Sequence, residues 1–355
     1  MGAKTKIEWT DSSWNTLRGC SRVSFGCMNC YAETLAARFA GPGMPYEGLA
    51  RNTSAGPRWT GKVMLVHEHL ADPLRWTRPR RIFVNSMSDV FHPEVPDEYI
   101  AAMFGVMMYA KHHTFQVLTK RPERMAALLP TLSALRCHAA ASGLIGDTSA
   151  WHRAYKPADA VFPLPNVWLG VSVEHQEAAD ERIPILLDTP AAVRFLSCEP
   201  LLGPVDLRLG GTRHGGTTFN VLDAAAGLVP WTDKPRLHWV IVGGESGTHA
   251  RPMHPDWPRS IRDQCVAAVV PYFFKQWGTW IETQPVSSGD LGGDIQRDNV
   301  RIVKQVGESD GQLRHGDVLM RRIGKKHTGR DLDDRTWDEI PPQAETCAVI
   351  SDSAL

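Results

Sequence analysis

Six short apolar runs, interleaved with longer helical patterns, constrain the fold of this 355-residue chain more than any other feature of it. The runs are Ile82–Ser86 (IFVNS), Phe115–Thr119 (FQVLT), Val167–Val173 (VWLGVSV), Val193–Cys198 (VRFLSC), His238–Gly243 (HWVIVG) and Tyr272–Lys275 (YFFK). They are β-branched or aromatic, and most are apolar toward both faces, as buried parallel strands are. Helical patterns occupy Asp97–Lys111, Glu174–Asp188 and Asp256–Val269, with Asp97 and Asp256 as N-caps or first-turn acids. Strand–helix alternation predicts a parallel α/β fold. An open doubly wound sheet and a closed or partial barrel both fit the pattern.

Two stretches break the rhythm. Residues 130–165 have weak periodicity, and 207–235 contain GGTRHGG with little apolar pattern. Both read as insertions on the rim. The expected organisation is a β/α body over 1–286 and a polar extension over 287–355, with a basic cluster at Arg321–Arg330, packing on the barrel. Apolar residues are 43% of the chain, which excludes a disordered polymer. Lys and Arg number 39 and so do Asp and Glu, which excludes a basic protein that coats polyanions. Seven cysteines, an odd count, do not form a secreted disulfide framework. The first residues, MGAKTKIEWT, lack the apolar core of a signal peptide, and no apolar run reaches membrane-spanning length. The expectation is a soluble, cytoplasmic protein with reduced thiols and no membrane partner.

The candidate strands share a polar C-terminal end: Ser86, Ser88 and Asp89; Thr119 and Lys120; Ser172 and Glu174; Ser197 and Glu199; Glu245 and Ser246; Lys275 and Gln276. In parallel α/β folds that edge carries the active site. Any one of these residues reads equally well as a wet loop end. Six together predict a polar site.

Cys20, Cys27 and Cys30 stand in WNTLRGCSRVSFGCMNCYA, spaced C-x6-C-x2-C. Three thiolates this close can close around one metal centre, and Gly19 and Gly26 beside them suit tight turns. Three readings compete. Zinc needs a fourth ligand, which must come from elsewhere in the chain. A cubane iron–sulfur cluster held by three cysteines keeps one iron open, since four is the usual number. The third reading is three unligated thiols. Cys198 and Cys265 read as buried small hydrophobes. Cys198 alone, at a strand end beside Glu199, suits a hydrogen-atom donor.

The segment G-C…G-C-x-x-C-Y-A resembles the cluster loop of radical S-adenosylmethionine enzymes, most closely the spore-photoproduct-lyase-like branch. That loop usually has C-x3-C-x2-C, and the longer gap here departs from it. The chain is also similar to the phage Gp37/Gp68-like family, a domain of unknown function. The likeness is carried by the cysteine segment (14–32), FVNSMSDVFH (83–92), VLTKRPER (117–124), WLGVSVE (168–174), FLSCEPLLGPVDL (195–207), VIVGGESG (240–247) and FFKQWG (273–278).

The resemblance implies a parallel, partial or full β/α barrel of the radical S-adenosylmethionine type. It implies a 4Fe-4S cluster on Cys20, Cys27 and Cys30, whose open iron chelates S-adenosylmethionine. One-electron cleavage of that cofactor would generate a hydrogen-abstracting radical, with the protein binding and aiming. Tyr31 would pack on the adenine, Ser86, Ser88 and Asp89 would accept from the cofactor ammonium, Lys120 would pair with its carboxylate, and Ser172 and Glu174 would hold the ribose. Glu245 is expected on the substrate side as a catalytic group, with Arg251, Lys275, Gln276 and Trp277 as substrate contacts. The family's phage context implies an enzyme that isomerises or otherwise modifies a nucleobase, or a group on one, in hypermodified DNA. It would work in the host cytoplasm if phage-encoded, with an external electron donor. The alternatives are a radical enzyme for a small molecule or peptide, and a non-catalytic metal module that docks a partner protein. Basic stretches at Arg75–Arg81, Lys120–Arg124 and Met320–Arg330 and the 12 tryptophans are the features that would suit nucleic acid.

Overall fold

The computed structural model describes residues 5–146, 156–208, 212–213, 217–218, 222, 236–283, 300–304 and 316–342. Seven parallel strands form one sheet: β1 (Ser12–Trp14), β2 (Arg81–Val84), β3 (Thr114–Thr119), β4 (Val167–Ser172), β5 (Val193–Cys198), β6 (Trp239–Gly243) and β7 (Tyr272–Gln276). Each strand lies beside the one before it, from β1 at one edge to β7 at the other. A doubly wound sheet reverses its strand order at a switch point. This sheet never reverses, so the architecture is a partial β/α barrel.

Right-handed crossovers taken always in one direction place the helices on one face of the sheet. They are α1 (Tyr31–Arg38), α2 (Asp97–Tyr109), α3 (Pro122–Leu128), α4 (Ala134–Ile145), α5 (Gln176–Asp188) and α6 (Asp256–Ala267). The strand period of two then divides the core. Ile82, Val84, Phe115, Val117, Leu169, Val171, Leu196, Val240 and Val242 face the helices. Phe83, Trp168, Phe195, Trp239, Ile241 and Phe273 face the barrel interior, where Trp9 plugs them from below. Trp239 is the hub of this floor, with edge-on contacts to Trp9 (6.1 Å), Trp168 (5.9 Å) and Phe273 (6.1 Å). Gly170 leaves room for Phe195, whose ring would stand 2.5 Å from a Cβ at that position.

Along each strand the interior positions change from aromatic to polar. Trp168 gives way to Ser172 and Phe195 to Ser197, and these two serines are register partners. Phe273 gives way to Lys275 on β7. The barrel therefore has an apolar floor and a polar mouth at its C-terminal edge.

The structure adds to the sequence reading in three places. β1 was not expected: it has only three residues, pairs with β2 alone and completes the sheet. The stretch from 130, expected as a rim insertion of weak periodicity, contains a helix, α4, which packs on α2. A Cβ at Gly105 would stand 2.3 Å from the Cys137 carbonyl oxygen, so glycine lets the two helices meet. α5 starts two residues after Glu174, which frees that side chain for the mouth. Most of 207–235 lies outside the described residues. Beyond β7, Trp280–Glu282 pairs with Val318–Arg322, which pairs with Val300–Val303. Residues 331–339 run along β7, where the Phe274 amide donates to the Trp337 carbonyl at 2.8 Å. Among the described residues no helix is long and apolar enough to cross a membrane.

Candidate functional site at the barrel mouth

The three clustered cysteines lie in the segment between β1 and α1. Gly19 adopts φ +94°, a left-handed conformation that L side chains rarely take, beside the short pairing of Leu17–Arg18 with Met64–Leu65. Phe25–Cys27 forms a 3-10 turn, and Cys30 is the N-cap of α1. Buried Glu33 accepts from Arg22 and, at 2.6 Å, from the Trp59 amide, tying α1 to the hairpin Ala50–Thr53 and Gly56–Trp59.

Three charged clamps hold this loop against the strand ends. The first comes from β2 and β3. Asp89 is buried, and its carboxylate accepts four hydrogen bonds: Phe91 N (2.9 Å), Thr119 Oγ1 (2.8 Å), Lys120 N (3.1 Å) and Arg121 Nη1 (2.9 Å). Arg121 then reaches the loop. Its Nη2 donates to the Ser21 carbonyl and hydroxyl at 2.9 Å each, and its Nη1 lies 3.9 Å from Cys20 Sγ. His92 Nε2 meets the same Ser21 hydroxyl at 2.8 Å.

The second clamp is Glu174, fully buried after β4. It accepts from Lys120 Nζ, from Arg182 Nη1 of α5 at 3.0 Å and from Ser24 Oγ at 3.1 Å. Burial alone would raise its pKa, but the two cations outweigh burial and hold it below the usual carboxylate value. Gly26 rests on this carboxylate, since a Cβ there would fall 2.4 Å from Glu174 Cγ.

The third clamp follows β6. Glu245 takes both arms of Arg251 (2.5 and 2.9 Å) and Asn29 Nδ2 at 2.9 Å. Arg251 also donates to the Phe25 carbonyl at 3.1 Å and lies 4.4 Å from the Phe25 ring centroid. Loop residues 21, 24, 25 and 29 are thus held by three different strand ends.

The structure brings most of the expected site residues to this edge, where several are engaged by other groups of the protein. Asp89 and Lys120 are already engaged within the protein, Asp89 with every lone pair used. Glu174 holds the loop through Ser24, and Glu245 and Arg251 are partners of each other. Ser86 Oγ donates to Asn15 and Ser88 Oγ to the Leu17 carbonyl, so both keep acceptor capacity, and Ser172 faces the interior. The Tyr31 hydroxyl donates to the Ser86 carbonyl at 2.5 Å, with the side chain half exposed. Lys275 pairs with Glu199 at 2.7 Å, and Gln276 donates to Glu199 and Ser246 at 3.3 and 3.1 Å.

Two residues do not join the mouth. Cys198 is fully buried in the core shared with the helices, and burial, then the nearby Glu174 charge, pushes its thiol up to about 12. Trp277 is buried in the same core with its Nε1 bonded to the Asp331 carbonyl at 2.8 Å. Sequence reading missed Arg121, Arg182, Ser24 and Asn29 as site members, and it had Glu199 only as a polar strand end. Arg121 sat in a basic stretch assigned to phosphate. A polar residue inside the cysteine spacing was the only signal for Ser24 and Asn29.

The thiols are an all-sulfur donor set in one loop. Burial, above all, pushes the Cys20 and Cys30 thiols up. Among the described residues no three His, Cys, Asp or Glu side chains converge on a single metal ion.

The fold and this site define a partial β/α barrel with a three-cysteine loop clamped over its C-terminal edge. The chain belongs to the family described as "Protein of unknown function (DUF5131)", whose model matches residues 4–341. No curated protein and no solved structure matches the chain.

Proposed function

We propose that the protein is an iron–sulfur enzyme of the radical S-adenosylmethionine type that modifies a nucleobase, or a group attached to one, in phage-type DNA. The observation that carries this reading is the three-thiol loop pinned by three strand ends over the polar mouth of a parallel barrel. Cys20, Cys27 and Cys30 would hold a 4Fe-4S cluster. With S-adenosylmethionine it would supply a hydrogen-abstracting radical.

The chain's own residues bind, orient and exclude water. The clamps of Asp89–Arg121, Lys120–Glu174–Arg182 and Glu245–Arg251 fix the loop. Ser86, Ser88 and Ser172 are the mouth hydroxyls with acceptor capacity for a polar cofactor. Glu199, Lys275 and Gln276 line the far strand ends on the substrate side.

Support for nucleic acid comes from the surface beside the loop. Phe25, Tyr31 and Phe39 are exposed apolar rings, and Arg38, Arg51 and Lys62 are exposed cations. Rings for stacking and cations for phosphate suit a single-stranded or extruded base. Two of the three basic stretches serve otherwise. Arg75–Arg81 leads into β2 at the floor end, and Lys120, Arg121 and Arg124 are paired with Glu174, Asp89 and Asp97. Most tryptophans are packed in the core. Exposed Val23, Met28 and Leu35 beside the cysteines favour a rival reading, a metal module that docks a protein.

The test is anaerobic reconstitution with iron and sulfide, then reduction with S-adenosylmethionine and mixed DNA substrates. Release of 5′-deoxyadenosine that rises with DNA supports the reading. A loaded cluster that releases none leaves the docking module. Stoichiometric zinc with no iron uptake overturns both radical readings.

A further inference from the structure

The three cysteines differ in what faces them. Cys27 Sγ lies 3.8 Å from the Ser24 hydroxyl, whose proton goes to Glu174, and Cys30 is the N-cap of α1. Cys20 faces a full charge, the Arg121 guanidinium, with Nη1 at 3.9 Å. This cation comes from 101 residues away and is itself buried, which is rare for arginine unless it is paired.

Its aim is fixed from behind. Asp89 holds Nη1 at 2.9 Å, and Thr119 Oγ1, which donates to Asp89, accepts the Arg121 backbone amide at 2.9 Å. The Ser21 carbonyl and hydroxyl hold Nη2. A planar fork held at two points cannot swing away from the sulfur without breaking both.

We infer that Arg121 is the positioning residue for Cys20 and that the Asp89–Arg121 pair sets the electron affinity of the cluster through that thiolate. The inference rests on the iron–sulfur reading above. Reduction adds one negative charge to the cluster. A guanidinium beside one of its thiolates stabilises that charge, and Asp89 behind it offsets part of the gain. The dry setting leaves both effects little screened.

The two partners therefore act with opposite sign. Removing Arg121 leaves Asp89 as an uncompensated negative charge near Cys20, so the reduced cluster becomes harder to form. Neutralising Asp89 leaves Arg121 unopposed, so it becomes easier to form. General loosening of the loop would move both variants in one direction.

The experiment is a redox titration of the anaerobically reconstituted protein with dithionite, followed by absorbance and electron paramagnetic resonance. Arg121→Met should lower the reduced-to-oxidised ratio at fixed potential by about tenfold or more, the scale of one poorly screened charge contact. Asp89→Asn should raise it, Arg121→Lys should restore much of the loss, and the double variant should return toward wild type. If Arg121→Met fails to fold, Arg121→Lys and Asp89→Asn still carry the opposite-sign test. Unchanged ratios, or shifts of one sign in cluster-loaded protein, overturn the inference alone. A wild type that takes up no cluster overturns the reading beneath it, and with it this inference.

Discussion

Gly26 lies against the carboxylate of Glu174, so close that a Cβ at residue 26 would stand 2.4 Å from Glu174 Cγ. The loop with the cysteines is therefore seated on a buried anion whose own partners come from β3 and α5. Gly26→Ala should unseat the loop without unfolding the barrel. Iron retained after reconstitution should fall to well under half of wild type, while the far-ultraviolet circular dichroism stays unchanged.

Glu174 is also a stability element. It is fully buried between Lys120 and Arg182. Glu174→Ala leaves two cations facing each other, and breaking a buried pair in this way costs about 3–5 kcal/mol. Urea unfolding measures the loss. Because partners depress its folded pKa, the stabilisation is present above the unfolded value of 4.5 and is lost as pH falls through the lower folded value. Glu174→Gln should flatten the stability curve in that acidic window.

A second acid response should begin closer to neutrality. Burial, with help from neighbouring positive groups, pulls His113 and His238 down from 6.5 to about 4. The unfolded chain takes up these protons near 6.5 while the folded chain resists them until about 4. Stability should thus fall between pH 6.5 and 4 and then level off for these groups. Comparing urea midpoints at several pH values, with His113→Gln and His238→Gln as controls, checks the slope.

The third clamp should be separable from the fold. Arg251→Ala removes the contacts to the Phe25 carbonyl and to Glu245. Trypsin cleavage after Arg22 should then accelerate several-fold relative to cleavage elsewhere in the chain. If cleavage at Arg22 is unchanged, Glu245 and Arg251 do not hold the loop.

The barrel floor should behave in the opposite way. Trp239→Ala removes the ring that Trp9, Trp168 and Phe273 pack against and should cost about 3–5 kcal/mol. The mouth is built from polar contacts at the other end of the strands. Iron uptake per folded molecule should therefore stay close to wild type.

The strands were legible because residues such as VWLGVS are apolar toward both faces, a pattern that a parallel sheet covered on both sides requires. α4 was not legible because Ala, Ser and Gly dominate Ala134–Ile145 and give a weak stripe. The cysteines announced themselves by spacing. What holds them did not, because Arg121 and Cys20 are 101 residues apart and Asn29 and Glu245 are 216 apart. Asp89 shows the limit most clearly. Its place at a strand end marked it as polar site material, but nothing in the sequence shows that Thr119 and the amides of Phe91 and Lys120 would use up its carboxylate.

The serial strand order also gives the molecule a timetable. A chain emerging from the ribosome N-terminus first can add each strand to the edge just completed. The cysteine loop, between the first two strands, is among the earliest parts made. Its Asp89–Arg121 latch arrives with the third strand, its Glu174 seat with the fourth, and its Glu245–Arg251 latch only after the sixth. The loop is synthesised early and locked late, since its last latch is complete only when six of the seven strands have been made.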